Sequence, residues 1–170
     1  MRIIVSDTSC MVDLRKAELL EALLKLPYTF VMPNTLFEHE WLCLSPGEKK
    51  RLCDQGLEVR ELPGPAVERA AVYFNQHRRL ELNDCYALTL TEDLEDSVLL
   101  TGDGLLRRVA EENGVGVRGV LWVIDELEAH CIVPLRRLHD VLQVLRMDPL
   151  VFLPEAELVR RLRRLARLLS

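Results

Sequence analysis

The chain has 170 residues, with 49% hydrophobic and 29% charged side chains and a formal net charge of -5. That length suits one domain with a real core, and the composition is that of a soluble globular protein. The acidic balance argues mildly against a surface that grips nucleic acid everywhere, since phosphate binding rests on Lys and Arg. No apolar stretch approaches the roughly 20 residues of a membrane span, and Ser6 and Asp7 interrupt the first apolar run too early for a signal peptide. A cytoplasmic protein without membrane contact is expected.

In chain order, short apolar runs predict strands at 2–6 ("RIIVS"), 28–32 ("YTFVM"), 57–62 ("LEVREL"), 97–101 ("SVLLT") and, more weakly, 115–119 ("VGVRG"). Between them, apolar residues three and four apart predict helices over Lys16–Lys25, Thr35–Leu44, Pro46–Gln55, Pro65–His77, Asn83–Leu94 and Gly104–Asn113, the last closed by Gly114 as a C-cap. Strands that alternate with helices, and are apolar enough to be covered on both faces, predict an α/β fold. It is a three-layer α/β/α sandwich around a mainly parallel sheet of about four to five strands, with C-terminal helices appended. The core is expected over 1–119. From 120 to 170 the pattern is wholly helical ("VLWVIDELEAH", "LRRLHDVLQVLRM", "EAELVRRLRRLARLL") and reads as an extension packed on the same domain. Five arginines against two glutamates make residues 151–170 a basic tail on an acidic body.

The five cysteines (Cys10, Cys43, Cys53, Cys85, Cys131) are scattered and never spaced as C-x-x-C, so they read as small buried hydrophobes in a reducing compartment. Trp41 and Trp122 read as packing residues more than base-stacking ones.

The chemistry lies in the carboxylates. In an open parallel sheet the ligand site lies beyond the carboxyl ends of the strands, where strand order reverses. Asp7 ends the first strand, and Asp103 follows "SVLLT" in "TGDGLLRR". Glu38 comes about one turn after the strand ending at Met32, and Asp84 stands at the start of an apolar helix. Each acid has an ordinary explanation: Asp7, Asp103 and Asp84 (or Asn83) as helix caps, and Glu38 as a solvated side chain. Four of them on one edge are harder to explain that way.

The motifs "IIVSDTS", "PNTLFE", "LELNDCYALTL" and "LLTGDGLLRRVAEENGV" resemble, in order and approximate spacing, the four acidic motifs of PIN-domain nucleases, the family that includes VapC-like toxins. The resemblance covers residues 1 to about 119, and the closing helices look like the tail of an uncharacterised prokaryotic PIN branch. It implies a magnesium- or manganese-dependent nuclease that hydrolyses phosphodiester bonds in single-stranded RNA or sometimes DNA. Asp7, Glu38, Asp84 and Asp103 would be its metal-binding and catalytic acids, and Ser9 a hydrogen-bonding neighbour. It also implies a homodimer and, for a toxin of a toxin–antitoxin pair, an antitoxin that covers the acidic groove.

The residue types agree with that chemistry. Clustered carboxylates repel unless a cation neutralises them, and all-oxygen ligation suits Mg²⁺ or Mn²⁺, whereas zinc would recruit His or Cys. Candidate phosphate contacts are Arg78, Arg79, Arg107, Arg108 and the Arg-rich last helix, although arginines on amphipathic helices are more often solvation. A haloacid-dehalogenase phosphatase would need a second acid at Ser9, and a receiver domain would need a late lysine, where the last lysine is Lys50. P-loop and Rossmann glycine patterns are absent. The competing reading is a PIN-fold binding or scaffold protein with little cutting, acting through a protein partner.

Overall fold

The computed structural model describes residues 2–41 and 44–170. Five strands, β1 (Ile3–Ser6), β2 (Thr29–Pro33), β3 (Glu58–Arg60), β4 (Ser97–Leu100) and β5 (Val117–Arg118), form one sheet in the order β3-β2-β1-β4-β5. All pairs are parallel; Val5 lies opposite both Val31 and Leu99, and Leu99 opposite Val117. Every strand therefore ends at the same edge. The chain leaves β1 toward β2 and β3, then returns to add β4 and β5 on the other side, which puts the reversal of strand order between β1 and β4.

Helices cover both faces, and this is why β1, β2 and β4 read as continuous apolar runs. Val5, Val31 and Leu90 form a small cluster with Ile3 and Leu94 beneath α5 (Leu82–Asp93), which packs in turn on α4 (Gly64–Gln76). Ile4, Phe30, Met32 and Leu99 join the larger core, shared with α1 (Thr8–Lys16), α2 (Leu20–Leu23), α3 (Pro46–Asp54) and α6 (Gly104–Glu112). The last helices, α7 (Val120–Ala129), α8 (Leu135–Met147) and α9 (Glu155–Leu169), contribute to that same core. Val120, Leu121, Val123, Ile124 and Leu127 of α7 are all buried in it. Each such side chain contributes roughly 1.5–3 kcal/mol of transfer free energy. No helix of the described residues is long and apolar enough to cross a membrane.

Several elements differ from the sequence expectations. The helix expected over Lys16–Lys25 is two helices: α1 starts at Thr8, and Glu18 breaks the run by taking a left-handed φ of 55°. The helix expected over Thr35–Leu44 is a π turn over Leu36–Glu40, and residues 42 and 43 of that expectation lie outside the described residues. α5 is capped by Glu81, not by Asn83 or Asp84; Asp84 is the third helical residue and its Oδ2 accepts from the Glu81 N–H at 2.9 Å, a capping box. β3 and β5 are shorter than their runs. Gly114 does close α6, with a φ of 77° that favours glycine. Among the cysteines only Cys10 and Cys85 are buried; Cys53 and Cys131 are exposed, and Cys43 lies outside the described residues.

Candidate active site

The site is built around Asp7. Its N–H donates to the Leu100 carbonyl at 3.1 Å, which extends the β1–β4 pairing one residue past the strand and plants the side chain at the reversal point. The residue is 2% exposed. Its carboxylate caps α1, with Oδ1 accepting from the Cys10 N–H at 3.3 Å. The Ser9 hydroxyl lies 2.8 Å from Oδ1 and 2.9 Å from Oδ2, and the Thr101 hydroxyl donates a short hydrogen bond to Oδ2.

Both hydroxyls are held in turn by the turn after β4. The Gly102 N–H donates to Ser9 Oγ at 2.9 Å, and the Asp103 N–H donates to Thr101 Oγ1 at 3.0 Å. A Cβ on Gly102 would stand 3.2 Å from Ser9 Oγ, so glycine there permits the close approach of the two strand ends. Thr101 is fully buried, and its hold on Asp7 is a contact that the acid-based sequence reading missed. Its signal was a threonine immediately before the Gly-Asp pair at a strand end.

Burial pushes the Asp7 carboxyl up to about 7, opposed by the hydrogen bonds from Thr101, Ser9 and the Cys10 N–H and reinforced by the negative charge of Asp84. Among the described residues no cationic side chain pairs with Asp7. A carboxylate placed in the interior with three donors and no counter-charge is an incomplete electrostatic arrangement, and a cation would complete it.

Asp84 reaches the same edge because α5 runs into β4, so that its first turn lies where the strands end; its field is felt at Asp7. Asp103 is exposed and caps α6, with Oδ1 accepting from the Leu105 N–H at 2.8 Å and the Leu106 N–H at 2.6 Å. Its Oδ2 makes no hydrogen bond among the described residues. Asp7 and Asp103 are thus linked through the Thr101 hydroxyl. Glu38 is exposed on the π turn that follows β2. The four acids occupy one edge but do not close on one point: among the described residues no group of three or more His, Cys, Asp or Glu side chains is positioned to hold a metal ion. The donor chemistry nevertheless fits a hard cation, since the side chains hydrogen-bonded to Asp7 and the acid whose charge it feels all present oxygen, while the neighbouring Cys10 thiol is buried and pushed up toward its neutral form.

The arginines divide into two kinds. Arg107 is tied to the sheet, its Nη2 donating to the Thr101 and Arg118 carbonyls at 3.2 and 3.3 Å, so it braces the ends of β4 and β5. Arg78, Arg79 and Arg108 are exposed and form no ion pair among the described residues, which leaves their charge for an anion. In α9, Arg161 pairs with Asp125 at 2.5 Å and Glu157 at 2.9 Å, and Arg164 pairs with Glu128; these arginines dock the helix on α7. Trp41 is buried against Phe37, and Trp122 is half-buried against Tyr28 with ring centroids 5.6 Å apart.

In an all-parallel sheet with acids at its reversal point, a ligand site is expected beyond the strand ends. The model of the PIN domain family (DUF3368) matches residues 3–167, and the chain belongs to that family. Among solved structures it resembles a PilT N-terminus domain protein from the archaeon Sulfolobus solfataricus, with 18% identity and a TM-score of 0.54 over 74% of this chain and 94% of that one. That likeness concerns the fold alone. No curated protein matches the chain. PIN domains are generally nucleases.

Proposed function

We propose that the protein is a divalent-metal-dependent nuclease that hydrolyses phosphodiester bonds in single-stranded RNA. The observation that carries this is Asp7, a buried carboxylate at the reversal point, held by Ser9 and Thr101, without a cationic partner among the described residues and within the field of a second acid. Asp7 and Asp84 would hold Mg²⁺ or Mn²⁺, with the free Oδ2 of Asp103 and the Glu38 carboxylate completing the set directly or through water. Such an ion would supply an acidified water and stabilise charge on the leaving oxygen.

The chain's own residues do the rest. Ser9 and Thr101 fix both oxygens of Asp7 and favour its ionised form. The backbone ties from Gly102 and Asp103 keep those hydroxyls aimed. Arg78, Arg79 and Arg108 offer positive charge to the substrate's phosphates near an otherwise acidic edge.

The test of metal binding is titration of Mn²⁺ into the protein and into Asp7→Asn while stability is followed. Stabilisation of the wild type alone supports the proposal, and equal responses count against it. For biological role we propose a homodimeric toxin restrained by an antitoxin that inserts a Lys or Arg beside Asp7. Growth arrest on expression, relieved by a co-encoded partner, is the expected result. The open spacing of the four acids favours a second reading, a binding or scaffold protein acting through a partner, and metal-independent inertness toward every oligonucleotide would select it.

A further inference from the structure

The turn between α8 and α9 displays one aromatic ring in an unusual way. Asp148 anchors its start, accepting from the Leu150 N–H at 2.8 Å and pairing with Lys16 at 2.9 Å. The strap then runs without regular structure through residues 151–154, with Val151 and Leu153 packed on the core and Phe152 between them 84% exposed. Val151 and Leu153 seat on the core on either side of Phe152, whose side chain is left in solvent. Pro154 then opens α9, which is pinned to α7 by Arg161. The Phe152 ring makes no aromatic contact among the described residues.

Its position gives the display a purpose. Phe152 lines a cleft of about 640 Å³ whose other walls include Thr101, Gly102 and Gly104. Thr101 holds Asp7, and the two glycines flank Asp103. The ring therefore borders a cleft that reaches the turn carrying Asp103; none of the four acids is itself in its walls, and Gly104, where a Cβ would meet nothing within 4 Å, leaves that wall open. The remaining exposed apolar residues of this corner, Val144, Met147 and Leu150, do not line the cleft, so a ligand entering it meets Phe152 without them.

We infer that Phe152 is a stacking platform for an unpaired nucleobase of the strand whose phosphate is presented to the acids, and so a positioning residue for the nuclease reaction. The inference rests on the nuclease reading above. Every base offers a π face, so such a platform holds single strands with little sequence preference and rejects duplexes, whose bases are already stacked. Trp122, in the wall of the same cleft, is engaged with Tyr28 and leaves the exposed ring to Phe152.

The test measures kcat and KM with Mn²⁺ on fluorescent single-stranded RNA and DNA oligonucleotides, for wild type, Phe152→Leu, Phe152→Trp and Leu150→Ser. A parallel set of oligonucleotides carries one abasic nucleotide at successive positions around the cut. Phe152→Leu should raise KM roughly tenfold, with kcat held within about twofold, because stacking serves ground state and transition state alike. Phe152→Trp should restore KM, and Leu150→Ser should match wild type. At one position the abasic nucleotide should weaken wild type and cost Phe152→Leu nothing more. A wild type that cuts, with Phe152→Leu showing the same KM or with Trp failing to rescue, overturns the stacking role and leaves the nuclease standing. A wild type that cuts neither polymer with Mn²⁺ overturns both.

Discussion

Replacing Asp7 by Asn should stabilise the metal-free protein above neutral pH, against the usual expectation for a buried polar residue. Burial raises the Asp7 carboxyl from its ordinary 3.8 to about 7 in the folded chain, so the native state holds a proton that the unfolded chain releases. Its contribution to stability is complete below about pH 4 and is lost as pH rises through about 7. A separation of that size amounts to about 4 kcal/mol between the two limits. Asparagine removes the titration but not all the hydrogen bonding. Its Oδ1 still accepts from the Cys10 N–H, while its amide must donate to Thr101 Oγ1, which already accepts from the Asp103 N–H, leaving the Thr101 hydroxyl hydrogen to find another acceptor. That loss costs about 1–2 kcal/mol. The variant should thus be somewhat less stable than wild type at acid pH, and about 2–3 kcal/mol more stable above neutrality. Urea unfolding of both proteins in chelator, across that pH range, measures the crossing directly. Parallel curves, with no pH-dependent gain for the variant, would refute the claim that Asp7 is a buried, uncompensated carboxylate.

Other consequences follow from the same network. Ser9→Ala and Thr101→Val each remove a donor that favours ionised Asp7, so in the metal-free protein the carboxyl should rise further and the pH at which stability falls should move toward alkaline pH, which urea unfolding in chelator reads. Gly102→Ala places a Cβ 3.2 Å from Ser9 Oγ and should lower kcat while costing about 1 kcal/mol or less in stability, which unfolding and kinetics read separately. Asp103→Asn keeps the cap on α6 and should fold like wild type yet cut poorly; Asp103→Ala should lose about 1 kcal/mol in addition. Arg161→Ala breaks the pair that docks α9 on α7 and should cost on the order of 1–2 kcal/mol, with hydrogen exchange quickening first in α9.

The strands were readable because burial on both faces leaves a continuous apolar run, and the one-edge placement of Asp7, Glu38, Asp84 and Asp103 follows once those runs are strung into a parallel sheet. α1 was missed because the first helix was placed at Lys16–Lys25, although Asp7 already read as a helix cap and Cys10, Met11 and Leu14 fall three, four and seven residues after it. The leucine-rich stretch around Lys16–Lys25 imitates a helix, but the left-handed backbone at Glu18 divides it, with Ala17 and Leu19 buried on either side. Thr101 and Phe152 escaped for opposite reasons. A buried threonine at a strand end looks like β propensity until its hydroxyl is seen against Asp7. A lone phenylalanine in a tail looks like core until its exposure is seen.

The most direct test is cleavage of fluorescent single-stranded RNA and DNA by purified protein with Mn²⁺, with Mg²⁺ and with chelator, beside an Asp7→Asn, Asp103→Asn double variant that folds. Cutting that requires the metal and disappears in the variant is the result expected of a PIN nuclease built on these acids. Cutting that survives chelator, or that is equal in the two proteins, would contradict it.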